Sequence, residues 1–261
     1  INVSDLDFDL IKTNLKEFLQ TQDQFTDYDF DGSGLNVLLD VLAYNTHYNA
    51  MYTNLAVNEM FLDSASKRDS VVSIANNYGY LPTSKTSAIA KISLSVAIGT
   101  NTSRTLSLSK YSPFKATVSG IDYTFYTTSE SVGSRNESTG TYEFSSIDLY
   151  EGTPVVEKFN VLDASKIVLK NNDIDVSTIK VRVQNPTSLL TTTYNYSEKV
   201  LTLTSSSEVY FIREIENQYY EIYFGKNNLG AEPSIGSVVT VEYIVTNGSA
   251  ANGIKLFTYT G

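Results

Sequence analysis

The chain has 261 residues, a formal net charge of −10 at pH 7, no Cys and a single His. This acidic balance disfavours nucleic acid and anionic membrane surfaces as main partners, because like charges repel. The absence of Cys excludes disulfides and thiolate chemistry, and one His leaves little scope for a zinc site or for histidine-based catalysis. No apolar run approaches the roughly 18 residues that a membrane-spanning helix needs.

The first 82 residues carry the apolar spacing of amphipathic helices. A first stripe recurs at steps of three and four residues, which places its side chains on one helix face. Its members are Leu6, Leu10, Ile11, Leu15, Phe18 and Leu19. The same period restarts over residues 35–61, and a third short helix fits residues 66–77. Gly79 and Pro82 then supply helix-stop signals.

From about Ile89 the hydrophobic period changes to two, which predicts β strands. The alternating segments are residues 92–98, 106–108, 123–125, 179–183, 200–203, 208–215, 219–224 and 238–245. Clusters of Gly, Asn, Ser and Pro separate them, and we interpret residues 133–140 as one such turn. We predict the α+β class, with an N-terminal helical segment followed by mainly antiparallel, sandwich-like β domains. The predicted domains are residues 1–82, 83–170 and 171–261.

An acidic motif at Asp27, Asp29 and Asp31 has the opening spacing of an EF-hand calcium loop. The last position of such a loop requires a bidentate Glu, but Leu38 occupies it here. We therefore predict no metal, and we interpret the segment as an acidic loop whose Ser33 caps the next helix. No cofactor is predicted either, since no nucleotide-binding motif is present.

Two kinds of residue are candidates for catalysis. His47 lies in a predicted helix beside aromatic residues without a nucleophile motif, which favours a packing or interface role. The pairs Glu214/Glu216 and Asp173/Asp175 have the spacing of strand residues on one face, as in a glycosidase dyad. Such pairs are usually solvated, and the chain has no Trp to form a sugar platform. We therefore predict no catalytic residue and no enzyme.

Three tyrosines, Tyr44, Tyr48 and Tyr52, recur at four-residue steps and form a ridge on one helix face. Such a ridge packs either on its own core or on a neighbouring chain, and the enrichment of Tyr at protein interfaces keeps both alternatives open. We combine the ridge with the first helical stripe as a candidate interface. The candidate interface residues are Leu10, Ile11, Leu15, Tyr44, Tyr48 and Tyr52.

The segment from Tyr219 to Gly253 contains an aromatic strand, a turn at Pro233 to Gly236, an alternating strand and a glycine loop. This order resembles the signature of the baseplate J-like family, the wedge proteins of contractile phage tails. Further segments resemble that family or its T4-like branch in the same order, namely residues 29–40, 42–45, 120–128, 149–153, 175–184 and 207–211.

The chain departs from the family pattern at one turn. Where the family often shows Phe-Gly-Asp-Gly, this chain has Phe224, Gly225, Lys226 and Asn227. Asn readily adopts the left-handed turn conformation, so we expect the hairpin to survive with altered charge.

The resemblance implies a structural subunit of a baseplate wedge or inner ring without catalytic residues. It implies assembly with copies of itself and with other baseplate wedge proteins, and no small-molecule substrate. We expect the protein in the tail baseplate of the virion after assembly in the bacterial cytoplasm, with further residues beyond Gly261. Two alternatives stay open: a β-sandwich receptor- or glycan-binding tail module, suited by loops rich in Tyr, Ser, Thr and Asn, and a carbohydrate-active enzyme. The first of these leaves the helical third unexplained.

Overall fold

The structure is a computed structural model of the chain and describes residues 7–22, 24, 32–99, 103–162, 166–198 and 203–261. The chain forms two compact units, Ile1–Tyr80 and Leu81–Gly261. The first is helical and the second is built of mainly antiparallel strands, which confirms the predicted α+β class. The described residues exclude Leu6, the motif at Asp27, Asp29 and Asp31, and residues 200–202 of a predicted strand.

The helical unit contains α1 (Phe8–Gln20), α2 (Gly34–Asn58) and α3 (Arg68–Asn77). Ser33 is the N-cap of α2, and its Oγ accepts a hydrogen bond from the backbone N–H of Asn36 at 3.0 Å, which confirms the predicted cap. Ile11 of α1 and Leu39 of α2 are both buried. Lys12 of α1 forms an ion pair with Asp40 of α2, so the two helices are joined by apolar burial and by charge.

A carboxylate organises the turn between α2 and α3. Glu59 accepts hydrogen bonds from the Oγ of Ser66 at 2.7 Å and from the backbone N–H groups of Ser66 and Lys67 at 2.9 and 3.2 Å. These groups and the hydroxyl of Ser70, which contributes most, lower the pKa of Glu59 to about 2. Glu59 thus satisfies N–H groups that would otherwise be orphaned at the start of α3.

The described part of the second unit contains fourteen strands. They are β1 (Ile89–Ala97), β2 (Thr105–Leu108), β3 (Pro113–Val118), β4 (Ile121–Thr127), β5 (Ser131–Arg135), β6 (Thr141–Glu151), β7 (Thr153–Asn160), β8 (Lys166–Leu169), β9 (Ile174–Gln184), β10 (Thr191–Tyr196), β11 (Val209–Glu214), β12 (Tyr220–Phe224), β13 (Val238–Val245) and β14 (Thr258–Tyr259).

These strands form two seven-stranded sheets, each with its own core. The first has the order β14-β3-β4-β6-β5-β2, with β1 also paired to β6, and buries Phe114, Phe125 and Leu149. The second has the order β7-β13-β9-β10-β11-β12-β8, and its core includes Ile222 and Val241. All ladders among the described residues are antiparallel except the short pairing of β10 with β11.

Two local expectations are wrong. The predicted turn at 133–140 begins too early, because Gly133 lies in β5, where an added Cβ would come within 2.6 Å of the Phe144 ring in β6. Gly133 therefore allows an aromatic ring to approach the backbone closely and does not form a turn.

The expected hairpin after Phe224 is also absent, since β12 pairs with β11 and β8 while β13 pairs with β7 and β9. The predicted left-handed turn residue is confirmed by Asn227, with φ of 59°.

The chain passes from the first sheet to the second at Gly152, between β6 and β7. Gly152 has φ of +122°, and a Cβ there would lie 2.2 Å from the carbonyl oxygen of Val245. The chain returns to the first sheet for β14, after β13. The division of the β region at residue 170 stays a prediction, since the strands of each sheet come from more than one stretch of sequence.

We expect Gly152→Ala to lower the free energy of unfolding by about 2–4 kcal/mol, because the added methyl group clashes with backbone atoms of Val245 and strains φ. Urea unfolding at pH 7 measures this loss. Gly120→Ala is the matched control, with φ of +82° and nothing within 4 Å of its Cβ, and should cost about 1 kcal/mol. Equal losses in the two variants would contradict the clash.

Candidate functional site

The most conspicuous surface of the helical unit is an apolar stripe along α2, which we call the outer seam. Its residues follow alternating steps of four and three, the spacing by which one helix packs along another. All but the last are exposed, and the last is half-buried. The outer seam consists of Val37, Val41, Tyr44, Tyr48, Met51 and Leu55.

Ring contacts give the outer seam a defined shape. The ring of Phe8 in α1 lies 4.6 Å from that of Tyr44, centroid to centroid. Tyr44 and Tyr48 stack at 6.0 Å, and Tyr48 and Tyr52 at 6.4 Å, in near-parallel orientation. The tyrosine ridge is therefore ordered by its own contacts, although Tyr44 is still 54% exposed and Tyr48 48% exposed.

The side of α2 next to the outer seam has the opposite character. It also follows steps of four and three, but its residues are polar or small, and they are buried or half-buried. They are Asn36, Asp40, Ala43, His47, Ala50 and Asn54. Apart from the buried Leu39, α2 thus turns a mainly polar or small stripe toward the other described residues of the helical unit and leaves its apolar stripe open, unlike a self-contained amphipathic helix.

The six predicted interface residues differ from one another in their exposure to solvent. Leu10 and the three tyrosines are exposed, Leu15 is half-buried, and Ile11 is buried. Val37, Val41 and Met51 belong to the same seam but were missing from the prediction. The alternation of four- and three-residue steps would have revealed them, whereas the fixed step of four between tyrosines did not. The interface role of all these residues stays a prediction.

The candidate catalytic residues do not form a site. His47 is half-buried in α2, with its ring 6.1 Å from that of Tyr48. Glu214 is buried in β11, whereas Glu216 lies exposed in the turn that follows, so this pair does not share a strand face. Asp175 is buried as well, and the expectation of a solvated pair is therefore wrong for Glu214 and Asp175.

Buried carboxylates instead join the two sheets. Glu151, at the end of β6, accepts hydrogen bonds from the hydroxyl of Thr246 at 2.6 Å and from the side-chain amide of Asn247 at 2.7 Å. Asp175 of β9 accepts one from the backbone N–H of Ser87 at 2.7 Å, just before β1. Each contact reaches from one sheet to a segment of the other, and each buried carboxylate has donors around it.

A third contact across the sheets is ionic. Glu242 of β13 is 6% exposed and forms ion pairs with Lys110, in the turn before β3, and with Arg182 of β9. Tyr111 also donates its hydroxyl to Glu242 at 3.1 Å, from a backbone with φ of 64°. Burial by itself raises the pKa of the Glu242 carboxyl, but the hydrogen bonds and charges of these neighbours outweigh it and hold that pKa below its usual value.

Metal-ligand clusters and membrane-spanning helices are both absent from the part of the chain that the structure describes. No group of three or more His, Asp or Glu side chains there is arranged to hold a metal ion. No described helix combines the length and the apolar character needed to cross a membrane.

Comparison with known proteins connects these features to one family. The model "Baseplate wedge protein gp6-like, helical domain" matches residues 7–80, and "Bacteriophage baseplate wedge protein gp6, third domain" matches residues 155–248. Baseplate wedge protein gp6 of Enterobacteria phage T4 is 32% identical over 267 residues, which cover 95% of this chain but 39% of that relative.

The helical unit and the second sheet thus carry the domains of a phage baseplate wedge protein. The chain belongs to the gp6-like family of T4-like baseplate wedge proteins, as the resemblance in its sequence predicted.

We expect Glu242→Gln to lower the free energy of unfolding by about 1–3 kcal/mol at pH 7, since two cations lose their counter-charge. The folded pKa of Glu242 is depressed, so its contribution is present above the unfolded pKa of about 4.5 and is lost as pH falls through the lower folded value. Urea unfolding from pH 7 to pH 3 measures both effects, with exposed Glu216→Gln as the control. A difference from the parent chain that stays constant with pH would contradict this assignment.

Proposed function

We propose that this chain serves as a structural part of a contractile-tail baseplate wedge or inner ring, assembling with copies of itself and with other wedge proteins. The observation that carries the proposal is the open outer seam, in a region matched by the wedge helical domain. The chain spans 39% of the length of the T4 relative, so the proposed structural role applies to the corresponding part of a wedge subunit.

The apolar balance of the helical unit supports assembly. Among its described residues, four apolar side chains are buried and sixteen large ones are exposed. A unit this small with so few buried side chains gains little stability from its own core, and oligomerisation is a common remedy. Packing a second helix along the outer seam would bury Val, Tyr and Met side chains that water now surrounds. We infer that the helices enter a bundle formed by several chains.

The β unit supports a mechanical role. Three carboxylates from Glu151, Asp175 and Glu242 reach across the two sheets, and the chain crosses between the sheets more than once. Hydrogen-bonded charges of this kind constrain the geometry on both sides, because misalignment leaves a buried charge unpaired. We infer that the two sheets act together as a stiff spacer between contacts in the baseplate.

The other functions have less support. A receptor- or glycan-binding module has no use for the outer seam, and a carboxylate-pair enzyme would need Glu214 and Glu216 to face a common cleft. We therefore infer a non-enzymatic protein located in the tail baseplate of the virion and assembled in the host cytoplasm. A megadalton native particle that co-purifies with tail proteins is the expected result, and a free monomer without tail partners would contradict it.

We expect Tyr48→Glu to weaken association of the chain with its wedge partners at least tenfold, because a carboxylate at the seam would be buried without a partner. Co-expression with the wedge proteins followed by native mass spectrometry and sedimentation velocity measures the loss. Circular dichroism should stay unchanged, since Tyr48 is half exposed in the chain alone.

Tyr78→Glu is the matched control for this substitution. Tyr78 is 82% exposed at the end of α3 and lies outside the outer seam, so the same change in size and charge should leave assembly intact. Equal loss in both variants would indicate a general effect of acidic charge. Full assembly of Tyr48→Glu would remove the outer seam from the interface.

A further inference from the structure

An open groove borders the first sheet on its β14 side. It has a volume of about 630 Å³ and lies between the end of β3 and residues 253–258, which lead into β14. Ile254 and Phe257 of that segment pack onto the first core, whereas Leu256 points outward and is 86% exposed. The groove is thus bordered by the end of β3 and by a segment whose Ile254 and Phe257 side chains are anchored in the first core.

The backbone ladder stops where the groove begins. The carbonyl of Pro113 accepts the N–H of Thr260 at 3.1 Å, and Lys115 pairs with Thr258. Backbone groups alternate in direction along a strand, so the N–H and C=O of Thr117 point to the β14 side of β3, as those of Lys115 do. If the register of β3 with β14 continued, Leu256 would be the partner of Thr117. The two backbones separate there instead of pairing. Within the described chain, no backbone hydrogen bond is made on the outer side of Thr117 or by residues 253–257.

The charge of the groove is opposite to that of the whole chain. Lys115 and Lys255 line it, and neither forms an ion pair with a described residue. The one carboxylate in the lining, Asp122, accepts the hydroxyl hydrogen of Thr117 at 2.6 Å. The net charge of −10 repels acidic partners at long range, but screening confines that repulsion to about 8 Å at physiological salt. Inside the groove the two lysines outnumber the single carboxylate of Asp122, so the local charge favours an acidic ligand.

We propose that this groove, which we call the edge groove, binds an extended acidic segment of a partner protein by strand addition to β3. The backbone of the segment pairs with the free edge at Thr117, in the manner of β-augmentation. Carboxylates on one face of the segment meet Lys115 and Lys255, and alternate apolar side chains cover Leu256. The edge groove lies outside the outer seam and is independent of the helical interface.

Lysines beside an open stretch of strand backbone also discourage pairing between identical strands. The protective role and the proposed binding site differ in which added strands they reject. A purely protective edge rejects every added strand, whereas the edge groove rejects basic and neutral strands but admits an acidic one. The separated backbone favours the second case, because protection alone does not require the groove to stay open beside Leu256.

Synthetic strands test the proposal with the purified 261-residue chain. The probe is a capped, fluorescein-labelled nonapeptide that alternates Glu with Val, measured by fluorescence polarisation and by amide hydrogen exchange. One control peptide replaces Glu with Lys, and another carries N-methyl groups on alternate Val residues to remove its hydrogen-bond donors. We expect the acidic peptide to bind at least tenfold more tightly than either control and to slow exchange at residues 117 and 253–257.

Variants of the chain locate the binding. The double variant Lys115→Glu with Lys255→Glu should weaken binding at least tenfold, and Thr117→Pro, which removes the outward N–H, should weaken it about threefold to tenfold. Lys226→Glu makes the same charge change at an exposed position outside the groove and should leave binding within twofold.

Several results would overturn the proposal. They are equal binding of the acidic and basic peptides, protection of amides elsewhere, no binding at millimolar concentration, or strong protection of residues 253–257 in the chain alone. The last would mean that the chain itself fills the edge groove. Because the exchange measurement uses the unaltered chain, it decides the question even if a variant fails to fold.

Discussion

The buried carboxylates between the two β sheets are the constraint on which the architecture of this chain depends. A charged group removed from water is tolerated only when donors surround it, and each of Glu151, Asp175 and Glu242 takes at least one of its donors from a segment of the opposite sheet. Gly152 permits the sharp passage between the sheets at the same place. The consequence is a β unit whose two cores are separate but whose relative position is set by polar contacts rather than by a shared apolar layer.

The helical unit follows the opposite logic. Its polar stripe, with Asp40 and His47, faces inward, and its apolar stripe, with Tyr44 and Tyr48, faces outward. Such an arrangement is costly for a protein that acts alone, because water contacts the residues best suited to burial. Under the proposed assembly, a neighbouring chain would cover the outer seam and remove that cost. The family assignment and the surface chemistry therefore both support the proposed assembly.

The outer seam and the edge groove suit different kinds of contact. The seam is apolar and follows the spacing by which one helix packs along another, which suits the proposed interface between helices. The edge groove offers backbone hydrogen bonds and two positive charges, which favours a smaller, salt-sensitive contact with an extended segment. Under the two proposals, contacts of the second kind could exchange without disturbing those of the first.

The sequence by itself determined the features that depend on neighbouring residues. Hydrophobic period distinguished helices from strands, and local chemistry predicted the cap at Ser33 and the left-handed turn at Asn227. Only the tertiary structure decided what depends on distant pairings. It buried Asp175, placed Gly133 in a strand beneath an aromatic ring, and separated Thr117 from its register partner. These outcomes follow from contacts between residues far apart in the chain, and no local pattern records which strand will lie beside which.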